Sequence, residues 1–250
     1  MSATPAWPPK SAPRLFVPGP IAEGAQISVE GGQAHYLSKV MRASAGDAVI
    51  LCDDMTGEWL ASVAEAGKRQ VTLSAERLLR EREEVPDFTL CAALLKKPNF
   101  DIVLEKATEL GVRRIQPVVT RRCVADKLNM ERARTIITEA AEQCARTALP
   151  DLAEPVSLSQ LLRMWPEDAV LWFADERRDA PPAAEAFAER WPPAGLLIGP
   201  EGGFDDAERA EVRDFLQAYP VSLGPRILRA ETACIAGTAL WMAMAGDWNK

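Results

Sequence analysis

The chain has 250 residues, of which 48% are apolar and 26% are charged, and its formal net charge is −7. These values are typical of a globular protein with one large or two small domains, and they exclude a disordered chain, a fibrous repeat and a coiled-coil rod. Five cysteines without a C-x-x-C pair argue against a disulfide scaffold or a structural zinc site and fit a reducing, cytoplasmic location, while a single histidine, His35, excludes a metal site built from several imidazoles.

The first 80 residues predict a small β-rich domain after a loose tail. Residues 1–13 are rich in proline and alanine and lack the apolar core of a signal peptide, so we expect a flexible tail. Short strands separated by Gly and Asp turns follow, which is typical of a small barrel at 14–80. The predicted strands are 14–17, 48–52, 58–63 and 70–73, with one helix at 33–41. A charged segment that includes a proline, residues 81–87, is predicted to be a linker.

Residues 88–250 alternate apolar strands with helical segments, which predicts an α/β domain with a largely parallel sheet. The predicted strands are 89–95, 115–119, 169–174, 195–198 and 220–223, and the predicted helices are 99–110, 130–147, 205–217 and 231–245. Asn99 is expected to cap the first helix and Gly111 to end it. The longest uncharged run, 232–246, is too short to span a bilayer and is predicted to be a buried helix, so no membrane partner is expected.

The charge is unevenly distributed along the chain. Residues 151–250 contain 9 basic and 17 acidic side chains, whereas Leu94–Arg134 contains 10 basic and 5 acidic ones. A basic stripe on an acidic protein is compatible with RNA binding, although a solvated helical face would produce the same pattern.

A glycine-rich loop, Gly199-Pro200-Glu201-Gly202-Gly203, follows the predicted strand 195–198 directly. Its glycines permit close backbone approach and positive φ, and the spacing of Asp205 and Glu208 predicts a capping box at the start of the next helix. Phosphate-loop motifs are absent, and the region carries acidic side chains but no lysine. The loop is therefore predicted to hold a neutral or cationic ligand, the alternative being a tight structural turn.

The segment 223–233 places Arg229 and Glu231 between a strand and an apolar helix. Glu231 or Thr232 could satisfy the first N–H groups of that helix. Arg229 with Glu231 forms either an internal salt bridge or a substrate clamp, because a guanidinium near a buried helix needs a partner.

These segments belong to an ordered set of motifs. They are RLFV at 14–17, HYLSKVMR at 35–42 with Gly46-Asp47, Lys97, EKATELGV at 105–112, EAAEQ at 139–143 with Arg146, IGPEGGF at 198–204, LGPRILR at 223–229 and ETA at 231–233. In this set the sequence resembles the RsmE family of bacterial 16S ribosomal RNA uridine N3-methyltransferases, members of the SPOUT class. Two segments depart from the family pattern: Thr120-Arg121-Arg122-Cys123, which has lost a glutamate, and Cys144-Ala145.

The resemblance implies a PUA-like RNA-binding barrel at 14–80 and a SPOUT methyltransferase domain at 88–250 with a C-terminal trefoil knot. It also implies a homodimer that uses S-adenosylmethionine and acts on 16S rRNA, in the small ribosomal subunit. The cysteine and histidine content adds the expectation of a cytoplasmic protein without a metal. The implied cofactor-binding residues are Ile198, Gly199, Glu201, Gly202, Gly203, Leu223, Gly224, Ile227, Leu228, Thr232 and Ala233. The alternatives are a SPOUT enzyme with another RNA target, such as a ribose 2′-oxygen, a non-catalytic RNA-binding protein and a doubly wound nucleotide-binding enzyme.

Catalysis and RNA docking are assigned to polar residues of both predicted domains. Arg229 is expected to stabilise negative charge on a uracil oxygen, and Glu231 to orient Arg229 or accept the N3 proton. His35 is either an RNA contact or a barrel residue with internal partners. The predicted phosphate contacts are Arg14, His35, Lys39, Arg42, Lys96, Lys97, Arg121 and Arg122. The apolar helix 232–245 is expected to meet a second subunit, the alternative being burial within its own domain.

Overall fold

The computed structural model describes residues 12–67, 69–175, 180–189 and 193–248. These residues form two compact units. The first contains the described residues up to Glu84 together with Ala141–Ala148, and the second contains Val85–Ala140 and the described residues from Leu149 onward. Most of the predicted tail, up to residue 11, lies outside the described residues.

The first unit is built on a five-stranded sheet. Its strands are β1 (Arg14–Phe16), β2 (Gln26–Glu30), β3 (Ala48–Cys52), β4 (Gly57–Ala66) and β5 (Gln70–Glu81), in the order β1-β3-β4-β5-β2. β1 pairs parallel with β3, and the other pairs are antiparallel. The helix α1 (Gly31–His35) continues into a π-helical turn over Tyr36–Val40. Leu37, Val49, Leu51 and Leu73 are fully buried in the core of this unit.

The four strands predicted for this region are confirmed, but β2 is not among them. The sequence of β2, QISVE, buries only Val29 among exposed and half-buried neighbours, so its apolar signal is weak. β5 also runs to Glu81, well past the predicted end at residue 73, because its second half is mostly exposed and polar.

The segment Ala141–Ala148 joins the first unit through specific polar contacts. Glu142 Oε1 accepts the N–H of Phe16 at 2.8 Å, and Glu83 Oε1 accepts the N–H groups of Thr147 and Ala148 at 2.7 and 3.0 Å. Contacts between residues more than 60 positions apart leave no periodic signal, so the sequence predicts this segment only as part of the second domain.

The second unit contains an all-parallel sheet. Its strands are β6 (Phe88–Ala93), β7 (Arg114–Val119), β8 (Asp151–Leu152), β9 (Val156–Ser157), β10 (Val170–Ala174), β11 (Ala194–Ile198) and β12 (Ala218–Val221). Their order is β12-β10-β11-β6-β7-β8, with β9 also paired to β7. The helices are α2 (Lys97–Glu109), α3 (Met130–Cys144, whose end belongs to the first unit), α4 (Leu158–Met164), α5 (Ala183–Phe187), α6 (Asp206–Arg213) and α7 (Ala230–Met244).

Both faces of this sheet are covered, which explains the uninterrupted apolar strands. Leu196 and Trp172 pack into one hydrophobic cluster, whereas their neighbours Leu197 and Phe173 pack into another. Strands buried on both faces lose the alternation of polar and apolar residues. The predicted α/β class with a largely parallel sheet is confirmed.

The two ends of α2 test the residues that the sequence predicted to begin and end this helix. Asn99 is not the N-cap of α2, because the helix begins at Lys97 after Lys96, with Pro98 in its first turn, where a missing N–H costs nothing. Gly111 follows the end of α2 with φ +92°, as predicted.

α7 buries Trp241 and Met242 but leaves Thr232 and Ala236 exposed, so it is buried on one side only. Among the described residues, no helix combines the length and apolar character that crossing a bilayer requires.

Candidate active site

A cavity of about 280 Å³ opens at the carboxyl ends of β10, β11 and β12. These strands are neighbours in the sheet, so the three loops that follow them meet at one place. Ligands of open parallel sheets bind at this edge. The cavity is lined by Ala174 at the end of β10 with Asp175 after it, by Ile198 at the end of β11 with most of the residues up to Phe204, and by Ser222–Arg229 after β12 with the start of α7.

The backbone conformation of the glycine loop and its contact with Phe204 both depend on glycine. Gly203 has φ +65°, a left-handed conformation that disfavours side chains. A Cβ built on Gly199 would lie 2.7 Å from the Phe204 ring, which is itself buried edge-to-face against Phe173 at 5.2 Å. Because Gly199 has no Cβ, the loop backbone can pass close to the Phe204 ring and still line the cavity.

The capping box predicted at the start of α6 is confirmed. The N–H of Glu208 donates to Asp205 Oδ1 at 2.7 Å, and the N–H of Asp205 donates to Glu208 Oε2 at 3.2 Å. The bond from Glu208 holds the pKa of the Asp205 carboxyl below its ordinary value, assisted by the Arg121 guanidinium. The glycine loop thus ends in a rigid helix start.

The loop after β12 presents both backbone and apolar surface to the cavity. Gly224 has φ +109° and open space around its Cα, so its conformation and not crowding requires glycine. Ile227 lines the cavity with 85% of its surface exposed. An apolar side chain so exposed beside a cavity offers a contact for the flat or apolar part of a ligand.

A buried ionic cluster beside the cavity was missed by sequence analysis. Asp175 lines the cavity and follows β10, and its carboxylate accepts from both Arg209 and Arg213 of α6, the Arg213 Nη2–Oδ2 distance being 2.6 Å. A buried carboxylate needs such partners. The available signal was the i, i+4 spacing of the two arginines, which places them on one face of α6.

Arg229 and Glu231 do not pair with each other in the part of the chain that the structure describes. Arg229 is exposed, lines the cavity and is the N-cap residue of α7, without a capping bond from its side chain. Because α7 begins at Ala230, Glu231 and Thr232 lie inside its first turn, and the expectation that one of them caps the helix is wrong.

Glu231 Oε2 is buried and has no hydrogen-bond partner among the described residues. It lies in the first turn of α7, directly after Ala230. Burial raises the pKa of the Cys234 thiol one turn later, and the Glu231 carboxylate raises it further.

The structure brings nine of the eleven predicted cofactor residues, and Arg229, to the cavity wall. The exceptions are Gly202, which faces Arg122, and Thr232, which is exposed on α7; Glu231 is also not part of the wall. The wall further contains residues that sequence analysis did not select: Ala174, Asp175, Pro200, Phe204, Arg209, Ser222, Pro225, Arg226 and Ala230.

The predicted RNA contacts of the first unit differ in their surroundings. His35, Lys39 and Arg42 are exposed along α1, the π-helical turn and the residues after it. Exposure of His35 removes the alternative of a barrel histidine with internal partners. Arg14 is only 20% exposed and its Nη2 lies 2.6 Å from Glu58 Oε1, so its guanidinium has a partner inside the unit.

The predicted RNA contacts of the second unit also divide into two groups. Lys96 and Lys97 are exposed at the start of α2. Arg121 and Arg122 are exposed as well, but Arg121 Nη1 lies 2.9 Å from Asp205 Oδ2, and Arg122 Nη1 donates to the carbonyl of Gly202 at 3.0 Å. Both arginines therefore have partners at the glycine loop.

Comparison with known proteins matches both units to RNA methyltransferase models. Residues 81–242 match the RNA methyltransferase domain, and residues 29–76 match the RNA methyltransferase PUA domain. A ribosomal RNA small subunit methyltransferase E from Synechocystis is 35% identical over 84% of this chain and 70% of its own length. The chain belongs to the RsmE family of RNA methyltransferases.

Solved structures support the RsmE fold over nearly the whole chain. A Legionella pneumophila methyltransferase, determined in complex with the cofactor SAM, is 31% identical with a TM-score of 0.83, covering 94% of this chain and 99% of its own. The RsmE of Neisseria gonorrhoeae, bound to S-adenosylmethionine, is 24% identical with a TM-score of 0.86, covering 95% and 99%. The predicted combination of a PUA-like unit with a SPOUT-type α/β unit is confirmed.

Proposed function

We propose that this RsmE-family protein transfers a methyl group from S-adenosylmethionine to N3 of a specific uridine in the 16S RNA of the small ribosomal subunit. The observation that carries the proposal is the glycine-lined cavity at the carboxyl ends of β10, β11 and β12, in a chain whose family model is an RNA methyltransferase. The relatives named small subunit methyltransferase E support the same RNA class.

The cavity suits this cofactor. Gly203 and Gly224, both with positive φ, line the cavity without a Cβ, so an adenosine and an amino-acid tail can approach the loop backbone closely. Their own N–H groups donate to the Pro200 carbonyl and to Ser222 Oγ, which fixes the shape of the two loops. Glu201 supplies negative charge for a cationic centre, while Arg209, Arg226 and Arg229 also line the cavity, Arg209 being paired with Asp175. Together with a sequence that lacks the phosphate-loop motifs, this lining suits a ligand that combines a cationic centre with a carboxylate. Ile198, Leu223, Ile227, Leu228 and Ala233 would enclose the apolar parts.

The bound cofactor supplies a methyl group activated by a positively charged sulfur. The protein must then make uracil N3 nucleophilic, and this nitrogen holds its proton well above neutral pH. Arg229, exposed on the cavity wall, stabilises negative charge on a uracil oxygen and so favours the N3 anion. Each unit by which Arg229 lowers the pKa of N3 corresponds to about 1.36 kcal/mol.

Glu231 is the proposed proton acceptor. Its Oε2 atom is buried without a hydrogen-bond partner in the described part of the chain, so its position is not explained by an internal salt bridge. Glu231 does not line the cavity. For Glu231 to accept the N3 proton, the first turn of α7 must therefore move toward the bound uracil.

RNA docking is proposed for the exposed cations that have no internal ion pair in the described structure: His35, Lys39 and Arg42 in the first unit, and Lys96 and Lys97 in the second. Arg14, held by Glu58, would contribute mainly to the local fold. Phosphate contacts release counterions, so each one steepens the salt dependence of RNA affinity by about 1.

The proposal also covers the oligomeric state, the cellular location and the domain boundaries of the protein. A functional homodimer is supported by the exposed small residues Thr232 and Ala236 of α7, a helix that is apolar apart from these residues, Glu231 and the buried Thr238. We also propose a cytoplasmic, metal-free enzyme with a tail at 1–13, a linker at 81–87 and a trefoil knot within 88–250. Sedimentation of the purified protein as a single chain at micromolar concentration would contradict the dimer.

The decisive experiment is nucleoside mass spectrometry of 16S rRNA from a strain that lacks this protein. We expect one N3-methyluridine to disappear and to return when the gene is restored, and the purified protein with S-adenosylmethionine to methylate the deficient subunit. If a 2′-O-methyl nucleoside disappeared instead, the target atom would be a ribose 2′-oxygen and not uracil N3. An unchanged RNA, with no binding of S-adenosylmethionine, would overturn the proposal.

A further inference from the structure

The turn after β7, Thr120–Cys123, is folded on itself and presents two arginines at its tip. The N–H of Cys123 donates to the Thr120 carbonyl at 3.1 Å, and Cys123 Sγ accepts from the N–H of Thr120 at 3.3 Å. These bonds tie the two ends of the turn together. Arg121 and Arg122 occupy its two central positions, so we call this segment the arginine turn.

The arginine turn contacts the glycine loop at its centre. Arg122 Nη1 donates to the Gly202 carbonyl at 3.0 Å, and a Cβ on Gly202 would lie 3.3 Å from Arg122 Cβ. Gly202 therefore contacts Arg122 while it stays exposed, and its neighbours Glu201 and Gly203 line the cavity. A change in Arg122 is transmitted to the two cavity residues through one peptide unit on each side.

The same turn contacts the helix start that ends the glycine loop. The N–H of Arg121 donates to Glu208 Oε1 at 2.7 Å, and its Nη1 lies 2.9 Å from Asp205 Oδ2. These two acidic residues form the capping box of α6. The arginine turn therefore contacts the loop at Gly202 and at Asp205 and Glu208 beyond it, 80 to 87 positions away in the chain.

We propose that Arg122, supported by Arg121, is a positioning residue that holds the glycine loop in the conformation that binds the methyl donor. This inference rests on the proposed function, because the ligand of the loop is taken to be S-adenosylmethionine. It replaces the sequence-based assignment of both arginines to RNA phosphates, since their guanidinium groups already donate to Gly202 and Asp205.

Calorimetry with S-adenosylmethionine tests the inference. Arg122→Ala should raise the dissociation constant about tenfold, which corresponds to about 1.4 kcal/mol. Arg122→Lys should recover part of the affinity, because an ammonium group still donates to a carbonyl. Arg121→Ala should have a smaller effect, about threefold, since the capping box keeps its own two bonds. Arg113→Ala is the matched control: it removes an exposed arginine at the opposite end of the same strand, paired with Asp87 at 3.0 Å, and should leave the affinity unchanged.

Two further measurements separate positioning from RNA contact. In steady-state assays, Arg122→Ala should raise KM for S-adenosylmethionine while kcat at saturating cofactor stays within about twofold. The salt dependence of RNA affinity should keep its slope, whereas loss of a phosphate contact would reduce the slope by about 1. A reduced slope with unchanged cofactor affinity would overturn the inference and return Arg122 to the RNA interface.

The controls keep the result interpretable. If thermal melting shows that Arg122→Ala does not fold, Arg122→Lys and Arg122→Gln decide: wild-type cofactor affinity in Arg122→Gln together with a loss in Arg122→Lys would contradict a role as carbonyl donor, because the amide of glutamine is the weaker donor. Failure of the wild-type protein to bind S-adenosylmethionine would overturn the proposed function and this inference together. Normal binding and methylation by both the wild type and Arg122→Ala would overturn this inference alone.

Discussion

The two edges of the parallel sheet carry cavities of very different character. The cavity at the carboxyl edge measures about 280 Å³ and is lined by two glycines with positive φ, by Arg209 of α6 and by the first residue of α7. The cavity at the amino edge is larger, about 440 Å³, and is lined by Trp165, Met164 and four charged residues that form two ion pairs. These pairs are Arg113–Asp87 at 3.0 Å and Arg114–Asp151 at 3.6 Å.

The cavity that we propose as the ligand site is thus the smaller of the two, and the reason lies in its lining. At the carboxyl edge α7 begins at the cavity wall with Ala230, so the positive end of its dipole lies beside the cavity. At the amino edge the chain enters the strands, and the charged side chains already satisfy one another. We therefore expect the ligand at the smaller cavity. The following experiments test this contrast.

The largest effect is expected from Gly203→Val. With φ +65°, Gly203 occupies a region that a β-branched residue strongly disfavours, and the loop would have to leave the cavity wall. We expect S-adenosylmethionine binding to fall more than 100-fold by calorimetry, while circular dichroism shows a folded protein. Binding close to that of the wild type would separate the glycine loop from the cofactor site.

Arg229→Ala should lower methylation by about 100-fold, or about 2.7 kcal/mol, while cofactor affinity stays within about twofold. The expected cause is a less stable uracil anion. Below the pKa of N3, the anionic fraction rises tenfold per pH unit, so raising the pH should restore part of the activity of the variant. A loss that follows cofactor affinity, or that does not respond to pH, would make Arg229 a structural residue of the loop.

Trp165→Ala tests the amino edge as a purely structural region. Its indole Nε1 donates to the Ala169 carbonyl at 3.0 Å, and its ring packs on Gly195, where no Cβ would fit. Removing a half-buried indole should cost about 2 kcal/mol of unfolding free energy, measured in urea. Cofactor affinity of the folded variant should not change; a tenfold loss would mean that both edges serve the ligand.

The smallest effect is expected from Arg114→Ala. Arg114 lines the larger cavity but is 45% exposed, and its ion pair with Asp151 spans 3.6 Å. Exposed pairs of this kind contribute about 0–1 kcal/mol. Methylation, cofactor affinity and the salt slope of RNA binding should all stay within about twofold of the wild type, and a larger loss in any of them would assign a ligand to the amino edge.

Local patterns predicted the parts of the site that lie close together in sequence. The spacing of Asp205 and Glu208 predicted the capping box, and the glycines after a buried strand predicted the cavity loop, since both depend on interactions within about five residues. The N-cap of α2 was misplaced because Asn99 is a good capping residue in isolation, whereas Pro98 allows the helix to begin earlier. β2 was missed because an edge strand with one buried residue shows almost no alternation of apolar and polar side chains.

The sequence by itself determined the α/β class, most elements of both units, the glycine loop and the family, because each follows from apolar periodicity or from motifs of a few residues. Only the tertiary structure decided that β10 lies between β12 and β11, and so brings three separate loops to one cavity. It also decided that Asp175 pairs with Arg209 and Arg213, and that Arg121 and Arg122 hold the glycine loop. A charged side chain has many possible partners along the chain, and the packing of the folded sheet selects the one it meets.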